Sequence, residues 1–100
     1  MQVSMEICIV PMGVGVSVSE YVAACEKVLR EAGINPQLHA YGTNVEGEWD
    51  VVMAALKRCH EVVHAMGAPR IFTNLKLGTR TDRQQANQDK IDSVLDKLNQ

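Results

Sequence analysis

Four groups of residues in this hundred-residue chain could do chemistry. The loudest is His60-Glu61-Val62-Val63-His64, a literal H-E-x-x-H. On the helix of a zinc hydrolase, such histidines share one face and bind the metal, and the glutamate acts as general base. Here Val51, Val52, Ala55, Leu56, Cys59, Val62, Val63 and Met66 recur at helical spacing and define the buried face. That register turns His60 and His64 to the side and back, beside Met53 and Lys57, toward solvent. A catalytic zinc site needs a third protein ligand, and no obvious candidate follows in the sequence. The expectation is a pair of surface histidines, with no metal and no catalytic residue.

The cysteines, Cys8, Cys25 and Cys59, are three in number and form no C-x-x-C pair. Cys25 and Cys59 fall inside apolar stripes, where a thiol acts as a small hydrophobe, and nothing places a base beside Cys8. All three are expected to be reduced. Between the first strand and the first helix lies Gly13-Val14-Gly15-Val16-Ser17. It matches neither G-x-G-x-x-G nor a Walker loop, so a turn leading to a capped helix is favoured over an anion site. Ser17 is expected to be the N-cap, in a capping box with Glu20, which leaves the Ser19 hydroxyl free.

The fourth group runs from Tyr41 to Trp49 and contains Thr43, Asn44, Glu46, Glu48, two glycines and the sole Trp. Carboxylates beside aromatic rings suit a flat, cationic or amine-bearing ligand. Glu46 can cap the following helix or project into a pocket, and the spacing alone leaves both open.

The elements that must position these groups follow from periodicity. Val3, Met5, Ile7 and Ile9 alternate with Ser4, Glu6, Cys8 and Val10, which predicts a strand that Pro11 ends. Val18, Tyr21, Val22, Cys25, Val28, Leu29 and Ala32 form one helical stripe, closed by Gly33 and Pro36. A strand over Gln37 to Tyr41 and a short one through Val45 precede a helix from near Glu48, closed by Gly67 and Pro69. Arg70 to Gly78 alternates again, with Ile71, Thr73, Leu75 and Leu77 on one side. Ile91, Val94, Leu95 and Leu98 mark a last amphipathic helix. The order predicts an α+β fold, a ferredoxin-like βαββαβ sandwich over 1–100 with a helical extension at 82–100. Both main helices would cover one sheet face. The other would carry Glu6, Cys8, Phe72, Asn74 and Lys76, with His39 and Tyr41 candidates for it. That mixed surface suits either subunit packing with a pocket at its edge or a plainly wet face with Glu6 and Lys76 as a cross-strand pair.

A net charge of −2 and a pI near 5.9 give no general attraction to phosphate backbones, so nucleic acid is not an expected partner. No stretch approaches the ~20 apolar residues of a membrane helix. The first residues have no signal-peptide pattern, so a cytoplasmic protein is expected. Domains this small gain stability by association, which makes a homo-oligomer the natural expectation.

Several stretches taken together resemble one family. These are Val10-Pro11-Met12-Gly13, Ser17-x-Ser19-x-Tyr21, Gly42-Thr43-x-x-Glu46-Gly47-Glu48-Trp49 and Gly78-Thr79-Arg80-Thr81-Asp82. The chain is similar to the small thiamine-binding proteins. The resemblance implies a ferredoxin-like subunit that pairs through its sheets into dimers or tetramers. It also implies non-catalytic binding of thiamine or of its hydroxymethylpyrimidine portion. On this sequence Thr43, Glu46 and Glu48 become the ligand-facing candidates. Facing considerations add Ser19, Tyr41, Asn74 and Lys76. Two other functions stay open at this point: a structural or regulatory oligomer without a small ligand, and a metal-dependent enzyme built on His60 and His64.

Overall fold

A computed structural model describes residues 1–100. Its elements are β1 (Gln2–Met12), α1 (Ser19–Glu31), β2 (Gln37–His39), β3 (Gly42–Glu48), α2 (Trp49–Ala65), β4 (Arg70–Thr79) and α3 (Asn87–Leu98). The four strands form one antiparallel sheet in the order β2-β3-β1-β4, the ferredoxin-like arrangement the alternating pattern predicts. The apolar side of β1 (Val3, Met5 and Ile7) lies at the centre of a cluster of 12 buried residues. Helix α2 adds Val52, Ala55, Cys59 and Val63, and α1 adds Cys25 and Leu29. Each large side chain so buried contributes roughly 1.5–3 kcal/mol of transfer free energy. Both helices stop at glycines in the left-handed region, Gly33 at φ 71° and Gly67 at φ 108°, where an L side chain would be strained.

Helix α2 packs across β1, β3 and β4, whereas the α1 backbone lies closest to α2 and farther from the strands, which it reaches through Cys25, Glu26 and Leu29. That separation leaves a gap between α1 and the strands. The gap forms an apolar cavity.

Several local expectations need correction. Pro11 does not end β1, which continues to Met12. Beyond Ile7 the strand pairs only with β4, so its other side is an edge on which a missing N–H costs nothing. Ser17 is not the N-cap of α1. The helix starts at Ser19 behind Val18, with no side-chain cap bond, because the glycine loop delivers the chain one residue later. β2 is shorter than expected and β3 longer, since the hairpin turns at Ala40-Tyr41 and β3 runs on to Glu48. Val51 and Met66, assigned to the α2 core stripe, are exposed at that helix's two ends. His60 does not face solvent freely: its Nε2 lies 2.7 Å from Thr73 Oγ1 on β4. His64 is exposed as expected, with its Nδ1 2.8 Å from the Ala68 carbonyl oxygen, so both rings are held by their own fold.

Candidate functional site

Two concave regions lie on opposite sides of the sheet. The first, about 260 Å³, opens between α1 and the strands. Its walls are Ile7 to Val10 of β1, the inner side of α1 from Val18 to Leu29, and the β2–β3 hairpin. The hairpin comes close to β1: a Cβ on Gly42 would sit 2.8 Å from the Ile7 carbonyl oxygen, so only glycine fits there. Twelve of the sixteen lining residues are hydrophobic, which makes the polar exceptions informative.

The main exception is Glu26. It lies on the apolar side of α1, between Val22 and Leu29 at helical spacing, and is only 8% exposed. Thr43, on the inward face of β3, donates its hydroxyl proton to Glu26 Oε1. Glu26 Oε2 has no partner within the chain, and no fully buried side-chain oxygen or nitrogen lacks one. Oε2 is therefore not fully enclosed, and Glu26 is one of the residues that line the cavity. No Lys, Arg or His lies within ion-pair distance of this carboxylate. Tyr41, 86% exposed in the hairpin turn, stands at the rim, and Tyr21 lines the wall.

Cys25 also lines this cavity, with Cys59 behind it. The Cys59 thiol donates toward the Cys25 carbonyl at 3.8 Å. Contact with Cys59 holds the Cys25 thiol below its ordinary range. The same contact and burial push the Cys59 thiol far up, so it stays protonated.

The second region, about 400 Å³, lies on the open sheet face beneath the start of α3. It is polar, with Ser4, Glu6, Asn44, Lys76, Asn87 and Lys90 around it. Its one carboxylate is taken up. Glu6 is 3.3 Å from His39 Nε2 and 3.9 Å from Lys76 Nζ. Asn87, the first residue of α3 and buried, is pinned from three directions. Its backbone N–H donates to Glu46 Oε2 at 2.6 Å, its side chain donates to the Val45 carbonyl at 3.4 Å, and its Oδ1 accepts from Ser4 Oγ at 2.5 Å.

The residues predicted for a ligand are thus divided. Alternation along β3 turns Thr43 inward and Glu46 outward, so the two cannot face one pocket. Glu46 accepts from Asn87 and, at 3.0 Å, from Asn35. Glu48 holds the N-terminal ammonium at 2.7 Å, which keeps its carboxyl below the usual range. Lys76 borders the second region, and Asn74 is exposed opposite Cys8 on the same face. Ser19, exposed at the start of α1, lines neither. Thr43 and Tyr41 alone meet at the apolar cavity. Glu26 completes it and was absent from the predicted set. Its signal was present in the sequence: a carboxylate inside an apolar stripe, four residues after Val22 and three before Leu29.

Comparison with known proteins gives a consistent picture. A UPF0045 protein of Synechocystis is 61% identical over 94 residues, spanning 94% of this chain and 78% of the relative. A UPF0045 protein of Eremothecium gossypii is 48% identical, with 93% and 90% covered. The crystal structure of a hypothetical protein from Methanocaldococcus jannaschii superposes with a TM-score of 0.86 at 30% identity, covering 93% of this chain and 95% of that one. A candidate thiamine biosynthesis/salvage protein of Thermotoga maritima shares the fold, with a TM-score of 0.80 at 18% identity and coverage of 94% and 99%. The family model described as "Thiamine-binding protein" matches residues 5–95, and with these relatives it shows that the chain belongs to the thiamine-binding protein family.

Proposed function

We propose that the cavity beneath α1 binds thiamine or a related aminopyrimidine, and that the protein holds this ligand without transforming it. The observation that carries this reading is the Glu26 carboxylate, nearly buried in the lining of an apolar cavity, with one oxygen unpartnered in the chain and no cation beside it. Leaving a buried charge without full compensation is costly, and a donor-bearing or cationic ligand would supply what is missing. The cavity volume, about 260 Å³, is near the small end for ligand pockets and suits one aromatic ring better than two. Membership of a family named for thiamine binding supports the same ligand. Calorimetric titration with thiamine tests it. Saturable one-site binding is expected, with a rise in melting temperature as ligand is added. No heat with thiamine, its phosphates or the free pyrimidine would refute the reading.

A specific observation favours a second role beside the first, assembly of copies of this chain. Helix α3 exposes Ile91, Val94, Leu95 and Leu98, and the open sheet face exposes Phe72, Val10 and Met12. An apolar surface of this extent on so small a chain suits a homo-oligomer, a dimer or tetramer. The setting we propose is the cytoplasm: Cys8, Cys25 and Cys59 are free thiols, and no helix is long and apolar enough to cross a membrane.

A further inference from the structure

Selectivity at this cavity follows from where one proton sits. A threonine hydroxyl has a single proton to donate, and Thr43 directs its proton to Glu26 Oε1. What remains facing the cavity at its polar end is lone pairs, on Glu26 Oε2 and on the Thr43 oxygen. The Tyr21 and Tyr41 hydroxyls also line the cavity, on its wall and rim, and neither is hydrogen-bonded to Glu26 or Thr43. The His39 ring is turned to the opposite sheet face, where it meets Glu6 and Asn44, and the Tyr41 N–H points to His39 Nδ1 at 3.3 Å. Ile7, Ile9, Val18 and Val22 supply an apolar wall that suits a flat ring.

We infer that Glu26 and Thr43 form an acceptor-only specificity pair that selects ligands by an exocyclic amine and rejects the corresponding carbonyl analogue. The inference rests on the function proposed above and adds to it the feature of the ligand that is read. Glu26 touches the ligand, and Thr43 positions Glu26 and removes the one neighbouring donor. An amino group, with or without a protonated ring nitrogen beside it, presents N–H bonds to the carboxylate. A 4-oxo ring presents its own lone pairs there, leaving the carboxylate unpaired in an apolar surround. Sites built around a buried hydrogen bond discriminate strongly against analogues that cannot make it.

The test is paired calorimetry with thiamine and its 4-oxo analogue oxythiamine, which differ at that one substituent. The expected result for the unaltered protein is at least about 100-fold weaker binding of the 4-oxo compound. In Glu26→Gln the amide can both accept and donate, so the ratio should fall below about tenfold through weaker thiamine binding and improved binding of the analogue. A variant that had merely lost its fold would lose both ligands and its cooperative thermal transition. Thr43→Ser, which keeps the hydroxyl, should retain the ratio, and Thr43→Val should lower it. Equal affinity of the unaltered protein for both compounds would overturn this inference and leave the proposed function standing. Binding of neither compound, nor of the thiamine phosphates or the free pyrimidine, would overturn both.

Discussion

The two sides of the sheet use carboxylates in opposite ways. On the open side Glu6, Glu46 and Glu48 are each matched within the chain, by His39 and Lys76, by Asn35 and the Asn87 amide, and by the N-terminal ammonium. On the helix side Glu26 is matched through one oxygen only, inside an apolar cavity. Charge on the open side is local fastening: it sets the start of α3, the β2 edge and the junction of β1 with α2. Charge on the helix side is kept partly unsatisfied at some cost in stability, which makes sense where an external partner completes it. The abundance of carboxylates in a sequence segment is therefore a poor guide to a site. Incomplete satisfaction of a single buried one is a better guide.

The sharpest way to break this contrast is to neutralise one carboxylate on each side. Glu26→Gln keeps the shape and an acceptor for Thr43, yet should weaken thiamine binding by about 100-fold or more by calorimetry. Glu46→Ala should leave thiamine affinity within about threefold. It should cost about 1–3 kcal/mol in urea unfolding, because the Asn87 amide loses its acceptor. The reverse outcome, with binding lost through Glu46 and kept through Glu26, would move the ligand to the open face.

How much of this was legible before the structure differs by level. The strand and helix stripes, and the stops at Gly33 and Gly67, follow from periodicity and punctuation, which act locally. Pro11 reads as a strand end, but its tolerance depends on which neighbours β1 has beyond Ile7, a property of the whole sheet. The segment from Tyr41 to Trp49 looked like one corner because its residues are adjacent in sequence. A strand through Glu48 places alternate members on opposite faces and separates Tyr41 from Trp49 by the length of β3. Glu26 is visible in the sequence, yet a charged residue within an apolar stripe reads as an interruption until the stripe has a wall opposite it. His60 and His64 show the converse. Their spacing matched a metal motif, and the fold binds them to Thr73 and Ala68.

A second way to sharpen the contrast is to alter the open side without touching the cavity. Asn87 ties the first turn of α3 to the sheet, and beyond it the apolar stripe to Leu98, which is 72% exposed, has little of its own subunit to cover it. If copies of the chain assemble there, Leu95→Asp should reduce the mass seen by light scattering to that of a smaller species. Thiamine binding per chain should change by less than about threefold, because the cavity lies on the other side of the sheet. A large loss of binding together with dissociation would mean that a neighbouring subunit contributes to the pocket.

The smallest effect concerns the fastening of β1 to α2. The Met1 ammonium donates to Glu48 at 2.7 Å, and the Trp49 N–H donates to the Met1 carbonyl at 2.8 Å, so the chain's start is tied to the first turn of α2. Glu48 has its carboxyl lowered chiefly by the hydrogen bond from that ammonium. A carboxyl with a lowered folded-state value stabilises the fold above its unfolded value, about 4.3 for Glu, and loses that contribution as pH falls through the folded value. The melting temperature of Glu48→Gln should therefore lie slightly below that of the unaltered chain at pH 7 and at pH 5. The gap should close in more acid solution, where the carboxyl is protonated in both states. Solvent exposure of both partners keeps the gap small, and salt should narrow it further. Acetylating the terminal amine should reproduce the effect and add nothing in the Glu48→Gln background. A gap that persists at low pH would mean that side-chain packing at the β3–α2 junction, rather than the ion pair, is what the substitution disturbs.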